Sequence, residues 1–131
     1  MDWRTWIYDT LHSDEDILAL FPGGIHSTLE NDATPDLKPF AVIRMTDMTG
    51  DVGSFQDAVV WVHDTPDGYT QIDERLAAIR EKLVGQVSEL GAITALWQGD
   101  GPDVADDKRG TLVRSSFYRL VGGDLDGNGD D

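Results

Sequence analysis

The four-residue run Val59-Val60-Trp61-Val62 sets the strictest condition on how this chain can fold. Side chains along a strand point alternately to the two faces of a sheet. An unbroken apolar run therefore puts apolar surface on both faces at once, as in strands that are covered on each side. The preceding run, Phe40 to Asp47, alternates in the β manner and carries Val42 on the face opposite to Ala41 and Ile43. A sheet built on these strands has two faces to cover.

Helical patterns supply one cover. Trp3, Trp6, Ile7 and Leu11 fall on one face of a first helix, with Asp2 placed to cap it. Ser13, with Asp16 three residues later, reads as a second cap ahead of Ile17, Leu18 and Leu20, so the spacing predicts a helix broken near Ser13. Phe21-Pro22-Gly23-Gly24 then stops it, because proline cannot continue the ladder and paired glycines favour a turn. The clearest element lies between Thr70 and Gly85, where Ile72, Leu76, Ile79 and Leu83 share one helical stripe. Thr70 with Asp73 resembles a capping box, and Gly85 can close the far end. Asp73 and Glu74 suit the positive end of the helix dipole, Arg80 and Lys82 the negative end.

The remaining patterns are strands and loops. Ile25, Ser27 and Leu29 form a weak first strand, and Ala58 to His63 a stronger one. Ala92 to Gln98 places Ile93, Ala95 and Trp97 on one face, and Thr111 to Val121 does the same with Val113, Phe117 and Val121. Met48 to Gln56 reads as a long hairpin loop, and Gly99 to Gly110 as an exposed acidic loop between the last two strands. Gly122 to Asp131, with four aspartates and one leucine, has a composition that does not pack and is expected to be a disordered tail. The reading is of the α+β class: one domain over residues 1–121, a mainly antiparallel sheet of four or five strands with helices on one face, and a flexible acidic tail over 122–131. No helical pattern is left for the second face. It is either half exposed or covered by a partner subunit.

Charge narrows the possible partners. The chain has 131 residues, 25 acidic and 10 basic, for a net charge of −15. That balance opposes phosphate-neutralising DNA binding, which needs clustered Lys and Arg, and opposes anionic membranes. It is compatible with DNA that slides past, since a surface repelling phosphate does not hold a duplex. There is no cysteine, which excludes disulfides and thiol chemistry. Met1-Asp2-Trp3-Arg4 does not open a secretory leader, and no apolar stretch is long enough for a membrane span.

Candidate chemistry fails on geometry or on missing ligands. Asp124-Leu125-Asp126-Gly127-Asn128-Gly129 matches the first half of an EF-hand loop, but the bidentate glutamate expected six residues after the glycine is missing. A calcium-binding module resting on Asp124, Asp126 and Asn128 is the alternative this leaves. His12, His26 and His63 have no metal-ligand spacing, and His63 and Asp64, adjacent on a strand, point to opposite faces. Ser115 and Ser116 sit in a strand without a nucleophile turn. Gly99-Asp100-Gly101-Pro102 lacks the lysine of a phosphate loop. The expectation is no catalytic site, no metal and no cofactor. Arg44, Arg114 and Arg119 lie in strands and need carboxylate partners, either within the chain or across a subunit boundary.

Several runs resemble the tail terminator proteins of long-tailed, noncontractile phages, particularly those infecting actinobacteria. They are the broken N-terminal helix leading to Leu18-Ala19-Leu20-Phe21, the strand Pro39-Phe40-Ala41-Val42-Ile43-Arg44, and Val60-Trp61-Val62-His63-Asp64 followed by Tyr69-Thr70-Gln71-Ile72-Asp73. Gly99-Asp100-Gly101-Pro102-Asp103 before Val113-Arg114-Ser115-Ser116-Phe117-Tyr118-Arg119 continues the pattern. The resemblance spans roughly residues 1–121 and leaves the acidic tail outside it. It implies a homo-oligomeric ring, usually a hexamer, that ends the tail tube, joins it to a head-tail neck protein and lets DNA pass through its bore. Assembly in the host cytoplasm and residence at the neck-proximal end of the virion tail follow from the same likeness. Another neck component, such as a stopper or head completion protein, is the structural alternative. The candidate interface residues are Val60, Trp61 and Val62, the strand arginines Arg44, Arg114 and Arg119, and the loop aspartates Asp51, Asp100 and Asp103.

Overall fold

A computed structural model describes residues 3–27, 37–45, 55–65, 69–84 and 93–122. The expected Asp2 cap, the Thr70 capping side chain, Gly85, most of the Met48–Gln56 loop and the tail beyond Gly122 lie outside the described residues or side chains.

The N-terminal helical segment breaks where expected. Helix α1 (Trp3–His12) buries Trp6, Ile7 and Leu11, and α2 (Glu15–Ala19) buries Ile17. The cap between them differs from the expectation. Asp14, not Ser13, accepts hydrogen bonds from the N–H groups of Asp16 at 2.9 Å and Ile17 at 3.2 Å. Ser13 is still bonded into the last turn of α1, its N–H to the Asp9 carbonyl and its hydroxyl to the Thr10 carbonyl, so the cap falls to the next residue. The hydrogen bonds from Ile17 and Asp16 hold the Asp14 carboxyl below its ordinary pKa.

Glycine is required at the following stop. A Cβ on Gly23 would lie 2.1 Å from the Leu37 carbonyl oxygen, and Gly24 has φ of 95°. This close approach brings β1 (Ile25–His26) alongside β2 (Phe40–Met45) as a parallel pair. Strand β3 (Phe55–Asp64) runs antiparallel to β2 and extends beyond the Ala58–His63 core of its sequence pattern. Helix α3 (Tyr69–Val84) buries the whole Ile72, Leu76, Ile79 and Leu83 stripe.

Strands β4 (Ile93–Asp100), β5 (Val104–Asp106) and β6 (Thr111–Gly122) complete a six-stranded sheet of order β1-β2-β3-β6-β4, with β5 also on β6. All of its pairings but β1 with β2 are antiparallel. The stretch expected as a loop, Gly99 to Gly110, instead continues a long hairpin. Its register shifts between Trp97 and Gly99, and Val104 to Asp106 then resume pairing with Val113 to Thr111.

Register decides which half of each strand is core. Ile43, Val60 and Ser116 lie in one row across β2, β3 and β6, and Val42, Trp61 and Ser115 in the next. Ile43 and Val60 of the first row, with Ala41, Ala58, Val62, Tyr118 and Leu120, pack against all three helices as a single cluster. Arg75 of α3 ties the layers: its Nη1 donates to Asp64 at 2.8 Å and its Nε to the Leu20 carbonyl at 3.0 Å. Asp64 thus faces the helices while His63 faces away, as the strand alternation requires. The Tyr118 hydroxyl is buried with no hydrogen-bond partner among the described residues, and burial pushes its pKa up to about 12.

Candidate functional site

Among the described residues no helix packs on the second face of the sheet. That face is built from Val42 and Arg44 of β2, Val59, Trp61 and His63 of β3, and Val113, Phe117 and Arg119 of β6. Leu96 of β4 belongs to the same face, opposite Arg119, and Val104 of β5 lies opposite Val113. Phe117, Leu96 and Val104 are 39%, 46% and 49% exposed, more than water-facing strand positions need to be apolar.

Two polar devices brace this face at opposite ends of β3. At one end Arg119 straddles Asp57 with bonds of 2.8 and 3.1 Å and lies 4.1 Å from the Phe55 ring centroid. At the other, His63 stacks on Phe40 with centroids 4.5 Å apart, and its Nδ1 meets the Thr111 hydroxyl at 3.0 Å. Burial holds His63 down to about pH 4, with Asp106 at 3.9 Å only partly opposing it. Burial raises Asp106, but hydrogen bonds from the backbone and side chain of Arg109 outweigh it and leave that carboxyl below its ordinary value.

At the His63 end lies an open groove of about 560 Å³, which His63 itself helps to line. Val42, Trp61 and Val113 supply apolar lining, and the hairpin residues Val104 to Arg109 bound it on one side. Arg44 borders it, exposed, with no ion-pair or hydrogen-bond partner among the described residues.

The interface candidates divide sharply. Trp61 and Arg44 stand on the uncovered face. Val60 and Val62 do not: both are fully buried beneath the helices, so the expectation that they meet a partner is corrected. The strand alternation that places half-buried Trp61 on the other face necessarily turns them inward. Arg114 points to the helix side and pairs with Asp103 at 2.6 Å and with Asp73. Arg119 pairs with Asp57, so for both arginines the carboxylate lies within the chain. Asp100 accepts from Ser116 Oγ at 2.7 Å and Trp97 Nε1 at 3.2 Å, and Arg80 lies 4.4 Å over that indole. Asp51 lies outside the described residues. Lys108 and Arg109 were not singled out from sequence, because their place on the groove depends on a hairpin that no alternation of residues signals.

His12 and His26 bond the carbonyls of Tyr8 and Gly23, each at 2.8 Å. Among the described residues no three metal-ligating side chains gather, and no helix is long and apolar enough to cross a membrane.

The architecture, a mainly antiparallel sheet with helices packed on one face among the described residues, is shared with two solved chains. A chain in the virion of a native gene transfer agent particle matches it with a TM-score of 0.67 at 16% identity, covering 92% of this chain and 95% of that one. The gp17 protein of bacteriophage SPP1 matches with a TM-score of 0.58 at 15% identity, over 92% of this chain and 88% of that one. No family model matches the chain, and no curated protein matches its sequence.

Proposed function

We propose that this chain is a structural virion protein that assembles with copies of itself into a ring, ends a phage tail tube and joins it to the neck. The observation that carries this reading is the sheet face of Phe117, Leu96 and half-buried Trp61, which no helix covers among the described residues, on a fold shared with a chain of a gene transfer agent virion and with a bacteriophage protein. Apolar surface of this kind is stabilised by a neighbour that removes it from water. A face that meets a different patch on the next copy makes a head-to-tail contact, and such contacts close into rings when the rotation allows. A hexamer is the expected closure, from the tail terminator resemblance of the sequence. One rim of the ring contacts the tube protein and the other a neck protein. With a net charge of −15, its bore repels phosphate and lets DNA pass without holding it. The chain works by binding, without catalysis or cofactor.

Imaging of purified particles carrying a labelled copy of the chain tests this. A closed ring at the junction of tube and neck is the expected result. Density on the capsid side of that junction would instead make the chain a stopper or head completion protein. Absence from purified particles, together with a monomer at high concentration in solution, would overturn the reading.

A further inference from the structure

The groove and the acidic C-terminal sequence complement each other. The chain has only 10 basic residues against 25 acidic, yet Arg44, Lys108 and Arg109 all border this one groove. Asp106 and Asp107 face it too, and the Asp106–Arg109 pair at 3.3 Å takes up one charge of each sign, so the groove border keeps a net positive charge in a strongly acidic chain. Beyond Gly122 the sequence runs Gly123-Asp124-Leu125-Asp126, carboxylates on each side of one leucine. Spaced carboxylates suit Arg44 and Lys108, while a leucine suits the surface formed by Val42, Trp61 and Val113.

Chain length limits how far along the groove a chain's own segment can reach. Strand β6 leaves the groove at Val113 and ends at Gly122, nine residues on, which is about 30 Å at ~3.3 Å per residue. Asp126, four residues further, can lie at most about 14 Å beyond Gly122. Leu125 therefore cannot return over its own Trp61 and Val113, nor Asp126 to its own Lys108. A neighbouring copy has no such restriction.

We propose that the groove receives the Asp124-Leu125-Asp126 segment of a second copy, so that each subunit clasps the next through its acidic tail. This rests on the self-assembly proposed above and names the segment that the uncovered face receives. It also gives the half-matched calcium loop a different task, as a ligand for arginine and lysine in place of a cation.

Charge exchange in the full-length chain tests it. Sedimentation equilibrium of Asp124→Asn/Asp126→Asn and of Arg44→Glu/Lys108→Glu is expected to show self-association weakened about tenfold or more, the scale of one or two lost charge pairs. Combining Arg44→Glu/Lys108→Glu with Asp124→Lys/Asp126→Lys in one chain should restore it. A labelled peptide of residues 123–131 should bind the Asp124→Asn/Asp126→Asn chain, more weakly as salt rises, and fail to bind when Arg44→Glu/Lys108→Glu is added. Unchanged association in both double variants, or peptide binding indifferent to the groove charges, would overturn the clasp while leaving the ring intact. A wild-type chain that never self-associates would remove the ring reading itself, and equal peptide binding to intact and charge-reversed grooves would still separately reject the clasp.

Discussion

His63 shows how the uncovered face constrains a single side chain. Its ring is buried between Phe40 and the Thr111 hydroxyl, and burial lowers its pKa from 6.5 to about 4. The folded protein therefore binds this proton less readily than the unfolded chain. Stability is fully present above about pH 6.5 and is lost as pH falls towards 4, because protonation then favours the unfolded state. The loss is on the order of 3 kcal/mol at the low end, since each unit of pKa difference corresponds to ~1.4 kcal/mol. His63→Gln, which keeps a partner for Thr111, is expected to flatten the change in urea midpoint between pH 7 and pH 5. A wild-type midpoint that does not move over this interval would refute the assignment. Nothing in the sequence marked this contact, because Thr111 is 48 residues away and only the pairing of β3 with β6 brings it near.

At the scale of elements, helix α3 is the part most plainly written in the residues. Its stripe reaches the core intact because the helical period and the burial pattern agree over about three turns, from Ile72 to Leu83. Ile79→Ala, at the centre of that stripe, should lower unfolding free energy by about 2–5 kcal/mol, read from urea denaturation. A cost below half a unit on that scale would mean that α3 packs elsewhere. Short elements were less legible for physical reasons. Strand β5 spans three residues, two of them exposed, so neither apolar alternation nor burial betrays it. Strand β1 reduces to two residues, positioned by the tight passage at Gly23 more than by Ile25 and His26 themselves. The cap at Asp14 shows a related limit, since Ser13 and Asp14 are both good caps and the end of α1 decides between them.

For the whole molecule, the sequence revealed that two faces need cover but not which residues belong to which. Alternation separates Val60 and Val62 from Trp61, yet it does not say on which side the helices settle. The packed cluster resolves this, with Val60 inside and Trp61 on the uncovered face. A pair of substitutions checks the division. Phe117→Glu, on the uncovered face, should leave circular dichroism and thermal unfolding nearly unchanged while reducing self-association. Val60→Glu should prevent folding, because it would bury an unpaired carboxylate among apolar side chains. If Phe117→Glu associates as the wild type does, the neighbour does not dock on this face.

A sheet that is apolar on both sides also carries a hazard during folding. In most half-buried sheets a strand that slips by one residue exchanges oil for water, and the mistake is strongly unfavourable. Here a slip of β3 would set Trp61 where Val60 belongs, and hydrophobic burial alone would discriminate weakly between the two. The bidentate grip of Arg119 on Asp57 and the His63 contact with Thr111 stand at opposite ends of the β3–β6 pairing, and neither survives a one-residue shift. Charge and imidazole thus act as alignment pegs, holding the strands to a single setting that greasy side chains would leave ambiguous.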